Sequence, residues 1–231
     1  MEKYFTFEQG LGIEFKNKRL LQQAFIHRSY INEHKGTDLK HNERLEFLGD
    51  AVLELIVTDF LFNEYAEAEG RLTSYRSALV RTESISAAAR TMGMNDLLML
   101  SKGESRDQGK ARDYILANTF EAFVGAVYLD QGYDAAKGII ENTLFPNIEA
   151  IIKEGTWRDA KSYVQEKAQE IYSTTPEYRL VSSEGPDHDK HFVMAIHFGD
   201  KKIAEGSGNS KQKSQQDAAQ NALVAEGWDQ D

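Results

Sequence analysis

Cysteine is absent from the 231 residues, which excludes a disulfide framework and any thiolate zinc site and suits a reducing compartment. The six histidines show no HExxH or comparable ligand spacing. A transition-metal site therefore has little support, and any bound metal should be a hard cation held by oxygen. No apolar run approaches the ~20 residues that cross a bilayer. Residues 1–15 carry acids and lack the basic start and apolar core of a secretory signal. A cytoplasmic protein with no membrane attachment is the expectation. Positive charge is also in deficit, with a net charge of −10 and a pI near 5.2. The part from Asp159 onward carries 8 basic and 13 acidic residues, so half of that deficit lies there. Taken globally this balance argues against nucleic acid. Any such binding must rest on local clusters of cations and weaken with added salt.

What is present is ordinary for a soluble globular chain, 41% hydrophobic and 28% charged at 26.1 kDa, enough for one or two domains with a sizeable core. Residues 1–153 read as consecutive helices. In the clearest, from His41 to Tyr65, Leu45, Leu48, Val52, Leu55, Ile56 and Phe60 recur at helical spacing and mark a core stripe. Phe47, Leu53 and Val57 add apolar bulk on its other sides. A second long helix spans Asp113–Asp130, with Ile115, Phe120, Phe123, Val124 and Val127 inward. Further helices are expected at Lys18–His27, Leu72–Met92 and Ala135–Ile152. Residues 154–158 read as a short polar linker. Beyond it, residues 159–228 read as helix, three strands, helix: residues 160–172, Tyr178–Ser182, a strand with Phe192, Met194, Ile196 and Phe198 on one side, Lys201–Glu205, and Ser210–Ala225. The fold class is thus a mostly α N-terminal domain followed by a small α+β domain of α-β-β-β-α order.

Glu43, Glu46 and Asp50 fall at i, i+3 and i+7 of the first long helix, and at about 100° per residue they project from one side. Asn118 and Glu121 repeat the i, i+3 spacing on the second helix, among phenylalanines. Acids on a partly covered face repel one another and lose hydration, a cost that a divalent cation offsets. Packed together, the two helices would converge up to five oxygen-bearing side chains, a donor set suited to magnesium, with manganese as its substitute. Such a cation promotes hydrolysis of a phosphate ester. A plain solvated helix face, with Glu43 favoured by the helix dipole, remains the alternative on spacing alone.

The run His41-Asn42-Glu43-Arg44-Leu45-Glu46-Phe47-Leu48-Gly49-Asp50-Ala51-Val52-Leu53 resembles the signature of the bacterial ribonuclease III family. Phe25-Ile26-His27-Arg28-Ser29-Tyr30, Glu69-Gly70 and Ile115–Ala122 resemble further parts of it. The resemblance implies a magnesium-dependent endoribonuclease that cuts both strands of duplex RNA, leaving 5′-phosphates and short 3′ overhangs, in ribosomal RNA processing and messenger RNA turnover. It assigns metal binding to Glu46, Asp50 and Glu121, chemistry to Asp50 and Glu121, and assistance with metal or substrate to Glu43 and Glu69. It implies a homodimer in which Phe47 inserts into the partner, although an ordinary core aromatic is the competing reading for Phe47. No small-molecule cofactor is implied. One position departs, because the family usually has aspartate where this chain has Asn118. An amide oxygen still coordinates magnesium, but the site loses one negative charge. Retained cleavage is favoured because the other acids are intact; a weakened or silenced duplex-RNA binder is the alternative.

The C-terminal order resembles a double-stranded RNA-binding domain, which reads A-form shape, 2′-hydroxyls and phosphates. Ser162, Gln165, Glu166 and Gln169 lie on one side of its first helix and would meet minor-groove hydroxyls. The turn with Pro186 and His188 resembles the loop that enters the next minor groove. Ser210, Lys211 and Lys213 at the last helix would meet phosphates. The family commonly has paired lysines after the serine, whereas this chain has Lys211-Gln212-Lys213, then Gln215 and Gln216, so phosphate contacts should be fewer than usual.

Overall fold

The computed structural model describes residues 2–153, 155, 157, 159–186 and 190–228, in two compact units that divide between Trp157 and Arg158. The first unit is helical: α1 (Glu2–Leu11), α2 (Lys18–Ala24), α3 (Arg28–Glu33), α4 (Glu43–Glu64), α5 (Glu69–Val80), α6 (Thr82–Thr91), α7 (Lys110–Gln131), α8 (Tyr133–Thr143) and α9 (Ile148–Lys153). The two 22-residue helices, α4 and α7, form its most extensive packing pair.

Two backbone anchors fix those helices. Buried Asn42 stands at the start of α4; its N–H donates to the Ile26 carbonyl at 2.9 Å, and its side-chain amide donates to the Ala24 carbonyl at 3.1 Å. At the far end of α7, the Asp130 carboxylate accepts from the N–H groups of Lys16 and Asn17, each at 2.8 Å. Between these anchors α7 is buried on nearly every side, and Phe15, Phe25, Phe120 and Phe123 are fully enclosed. Trp157 closes this unit, edge-on to Tyr75 at 4.9 Å with the Arg71 guanidinium over its ring.

Leu55, expected in the core stripe of α4, is 58% exposed, while Leu53 and Val57, nearly opposite it on the helix, are buried. The helix expected over Leu72–Met92 is two helices, broken at Arg81, whose extended backbone (φ −65°, ψ 152°) interrupts it without glycine or proline. Lys18–His27 ends earlier, at Ala24, and Ala135–Ile152 is divided by a 3₁₀ turn at Phe145–Asn147, where Pro146 lacks the N–H a continuous helix needs.

The second unit comprises α10 (Ala160–Tyr172), β1 (Glu177–Glu184), β2 (His191–Phe198), β3 (Lys201–Gly208) and α11 (Lys211–Glu226). The strands form an antiparallel sheet in the order β1-β2-β3. Met194, Ile196 and Phe198 of β2 are buried, but Phe192 is only partly so and Ala195 between them is buried as well. Ala218, Ala219 and Ala222 of α11 are fully buried, and a β-carbon on Gly206 would sit 1.9 Å from the Ala218 nitrogen, so helix and strand meet backbone to backbone. Gly227, in the left-handed region at φ 70°, ends α11 and returns the chain so that Trp228 stacks on Phe198 at 5.8 Å. The α-β-β-β-α order and the helical first unit are as the sequence indicates.

Candidate active site and nucleic-acid interface

The acidic site depends on where α4 and α7 cross. A β-carbon on Gly49 would lie 1.7 Å from the Glu121 carbonyl oxygen, and one on Gly125 would lie 2.3 Å from the Leu45 carbonyl oxygen. Only a side chain of hydrogen lets the two backbones approach this closely. Gly49 directly precedes Asp50 and lies one turn beyond Glu46, so the crossing brings these acids into the field of Glu121.

The electrostatics record that proximity. Burial, then the charges of Asp50, Glu46 and Glu54, push the Glu121 carboxyl up to about 7. Burial, then Glu43 and Asp50, raises Glu46 as well. Glu43 is held from the other side, with Arg28 Nε at 3.1 Å and His41 Nδ1 at 3.7 Å. Glu43, Glu46, Asp50 and Glu121 are thus coupled acids, joined by Glu54, which pairs with Arg76 at 3.0 Å. Sequence reasoning passed over Glu54, although its i+4 spacing from Asp50 and i+8 from Glu46 carried the signal. Arg28 as a partner of Glu43 had no such signal, since it comes from α3.

Two further expected residues are exposed. Glu69 is exposed at the first position of α5, accepts a hydrogen bond from Thr73 at 3.1 Å, and is not among the charges shifting Glu46 or Glu121. Asn118 is exposed on α7, one turn before Glu121. Among the described residues, no three His, Cys, Asp or Glu side chains close into a set able to hold a metal ion. The donors are all oxygen, which suits a hard cation in kind. Phe47, next to this group, is 83% exposed.

In the second unit, Ser162, Gln165, Glu166 and Gln169 are all exposed on α10. The Ser162 hydroxyl donates to Asp159 Oδ2 at 2.6 Å, and Gln216 Nε2 donates to Asp159 Oδ1 at 2.9 Å. Burial raises the Asp159 carboxyl, but these bonds and two from the backbone outweigh it and hold the group below the usual aspartate value. With its proton committed to Asp159, Ser162 faces solvent as an acceptor, the role a 2′-hydroxyl donor needs. Ser210 caps α11, accepting from the Lys213 N–H at 3.2 Å, and Lys211 and Lys213 are exposed in its first turn. Pro186 is exposed at the end of β1, whereas His188 lies outside the described residues. A recess of about 310 Å³ joins Ser162 and Gln165 of α10 to Gln212 and Gln216 of α11. No helix among the described residues is long and apolar enough to cross a membrane.

Comparison with known proteins covers both units. Residues 17–148 match the ribonuclease-III-like family model, and residues 160–224 match the double-stranded RNA binding motif. The chain is 44% identical over 229 residues to Ribonuclease 3 of Enterococcus faecalis, spanning 96% of this chain and 98% of that protein. It is 43% identical over 225 residues to Ribonuclease 3 of Geobacillus kaustophilus, spanning 96% and 90%. A crystal structure of the nuclease domain of ribonuclease III from Campylobacter jejuni, 37% identical, superposes with a TM-score of 0.56 over 64% of this chain and 97% of that one. A second structure of that domain, described for flexibility in the region involved in dimer formation, gives 0.54 at 40% identity, covering 61% and 96%.

Proposed function

The chain belongs to the ribonuclease III family of endoribonucleases, and from that premise we propose that it hydrolyses duplex RNA with magnesium at the α4–α7 acids, as a homodimer. The observation that carries the proposal is the glycine crossing, which brings Glu46 and Asp50 into the field of Glu121. Glu46, Asp50, Glu121 and the Asn118 amide oxygen would hold the ion, and manganese would substitute. Bound magnesium supplies Lewis acidity toward water and toward a phosphate oxygen.

The chain's own groups prepare that site. Arg28 pairs with Glu43 at 3.1 Å beside Glu46, and the His41 ring stands 3.7 Å from the same carboxylate. Half-buried Glu121 shares a proton with solvent near neutral pH, and a cation competes with that proton. Asp50 is exposed and would be open to an approaching RNA phosphate. Glu43 and Glu69 would assist with metal or substrate, Glu69 from outside the coupled group. In the second unit, Ser162, Gln165, Glu166 and Gln169 would meet 2′-hydroxyls, Pro186 and His188 the next minor groove, and Ser210, Lys211 and Lys213 phosphates. The products would be 5′-phosphates with short 3′ overhangs, and the setting ribosomal RNA processing and messenger RNA turnover in the cytoplasm.

The second reading, a silenced duplex-RNA binder, is favoured by Asn118 alone. Cleavage of a long duplex RNA by this chain and by Asn118→Asp, over a magnesium series, separates the two. Both proteins are expected to cut, with the asparagine form needing roughly tenfold more magnesium, as fits a neutral donor replacing a charged one. Cleavage by the aspartate form alone, with both binding RNA, would establish the second reading.

A further inference from the structure

Unit 2 carries excess negative charge, so its cations must be sorted by whether a carboxylate already neutralises them. Arg179 pairs with Glu177 at 2.8 Å, Lys201 with Glu226 at 3.6 Å, and Lys202 with Glu205 at 2.6 Å. Lys161 differs. It lies at the second position of α10, half-buried, and its ammonium donates to the neutral Gln215 Oε1 of α11 at 2.8 Å. The same ammonium stands 5.1 Å from the centroid of the Tyr178 ring. It has no ion pair with a carboxylate among the described residues. An ammonium held against an amide oxygen and a ring face keeps its full charge and loses much of its side-chain freedom.

Its position gives that charge a use. The recess it lines is shared with Ser162 and Gln165 on one side and Gln212 and Gln216 on the other. Asp159 also lines this recess and keeps its charge, its two oxygens accepting from the neutral groups of Ser162 and Gln216 rather than from Lys161. Helix α11 has neutral glutamines at positions 212, 215 and 216, and Lys161 Nζ touches one of them. We propose that Lys161 is a phosphate-binding residue of the duplex-RNA face, delivering from α10 a charge at the recess that α11 lines only with neutral glutamines. This assignment rests on the reading of the second unit as an RNA binder.

The test uses the full chain in EDTA, with a labelled RNA duplex of about 20 base pairs, longer than the ~16 that such domains span. Affinity is measured by fluorescence anisotropy over a salt series for the parent, Lys161→Gln, and Lys161→Gln combined with Gln215→Lys. Lys161→Gln is expected to bind roughly fivefold to tenfold more weakly near 0.1 M salt, with the log–log salt slope reduced by about 0.7–1, the share of one phosphate contact. The double variant restores an ammonium at the same point and is expected to recover most of both. An unchanged slope in Lys161→Gln overturns the assignment even if affinity falls, because lost packing does not alter the number of counterions released. A parent chain that fails to bind the duplex overturns the RNA-binding reading and this assignment together.

Discussion

Glu121 combines two demands in one side chain, and metal-free stability should reveal it. Its folded value, about 7, lies above the ordinary 4.5. Between those values the folded chain holds a proton that the unfolded chain has released, so raising the pH favours unfolding. In EDTA, Tm is expected to fall as pH rises from about 5 to about 8, and the Glu121→Gln variant should show a shallower fall. The same variant is expected to lose cleavage by roughly 10³-fold or more, as removal of a group central to charge stabilisation does. Thermal scans at several pH values and a cleavage assay check the two halves separately; a pH dependence as steep as the parent's would contradict the first. At this scale the sequence was only partly legible. The i, i+3, i+7 spacing identified Glu43, Glu46 and Asp50, because helical geometry alone determines which face they share. Arg28 and Lys161 escaped, since their contacts depend on the approach of another element.

Among the elements, α4 and α7 were legible because each carries a long apolar period and ends in polar residues. The break at Arg81 was not, because no glycine or proline marks it in the sequence. Helix α1 was also missed; of its ten residues only Phe7 and Glu8 are buried, too few to set a period. Gly49 stands in the run that carries the family resemblance and Gly125 does not, and the physical reason for both appears only in the packed pair. Gly49→Ala places a methyl against a main-chain oxygen that cannot rotate away. The substitution is expected to destabilise by about 1–3 kcal/mol, on the order of 5 °C in Tm. Cleavage should drop further, by roughly 10²-fold where the variant is still folded, because parting the helices displaces the acids from one another. Calorimetry beside a cleavage assay distinguishes the two losses, and a variant of parental activity would contradict the account.

The whole molecule adds what no single element shows. Phe47, Leu55 and Phe62 are 83%, 58% and 73% exposed along α4, and at about 100° per residue they share one side of it. Periodicity reports that a residue avoids water; it does not say whether its own chain or a second copy covers it. Leu55 was assigned to the core for that reason, and the dimer reading gives its exposure a purpose. Phe47→Ala should therefore leave the circular dichroism of the chain unchanged while weakening self-association by roughly tenfold or more. Sedimentation equilibrium measures this; a variant as dimeric as the parent would remove Phe47 from the interface.

The only two tryptophans of the chain fall one to each unit, Trp157 beside Tyr75 and Trp228 against Phe198. Each indole emits from an aromatic contact that its own unit must be folded to provide. Intrinsic fluorescence of Trp157→Phe and Trp228→Phe variants during urea titration should therefore yield one optical reporter per unit. Two midpoints would show that the units melt independently, and coincident midpoints that they unfold as one cooperative body.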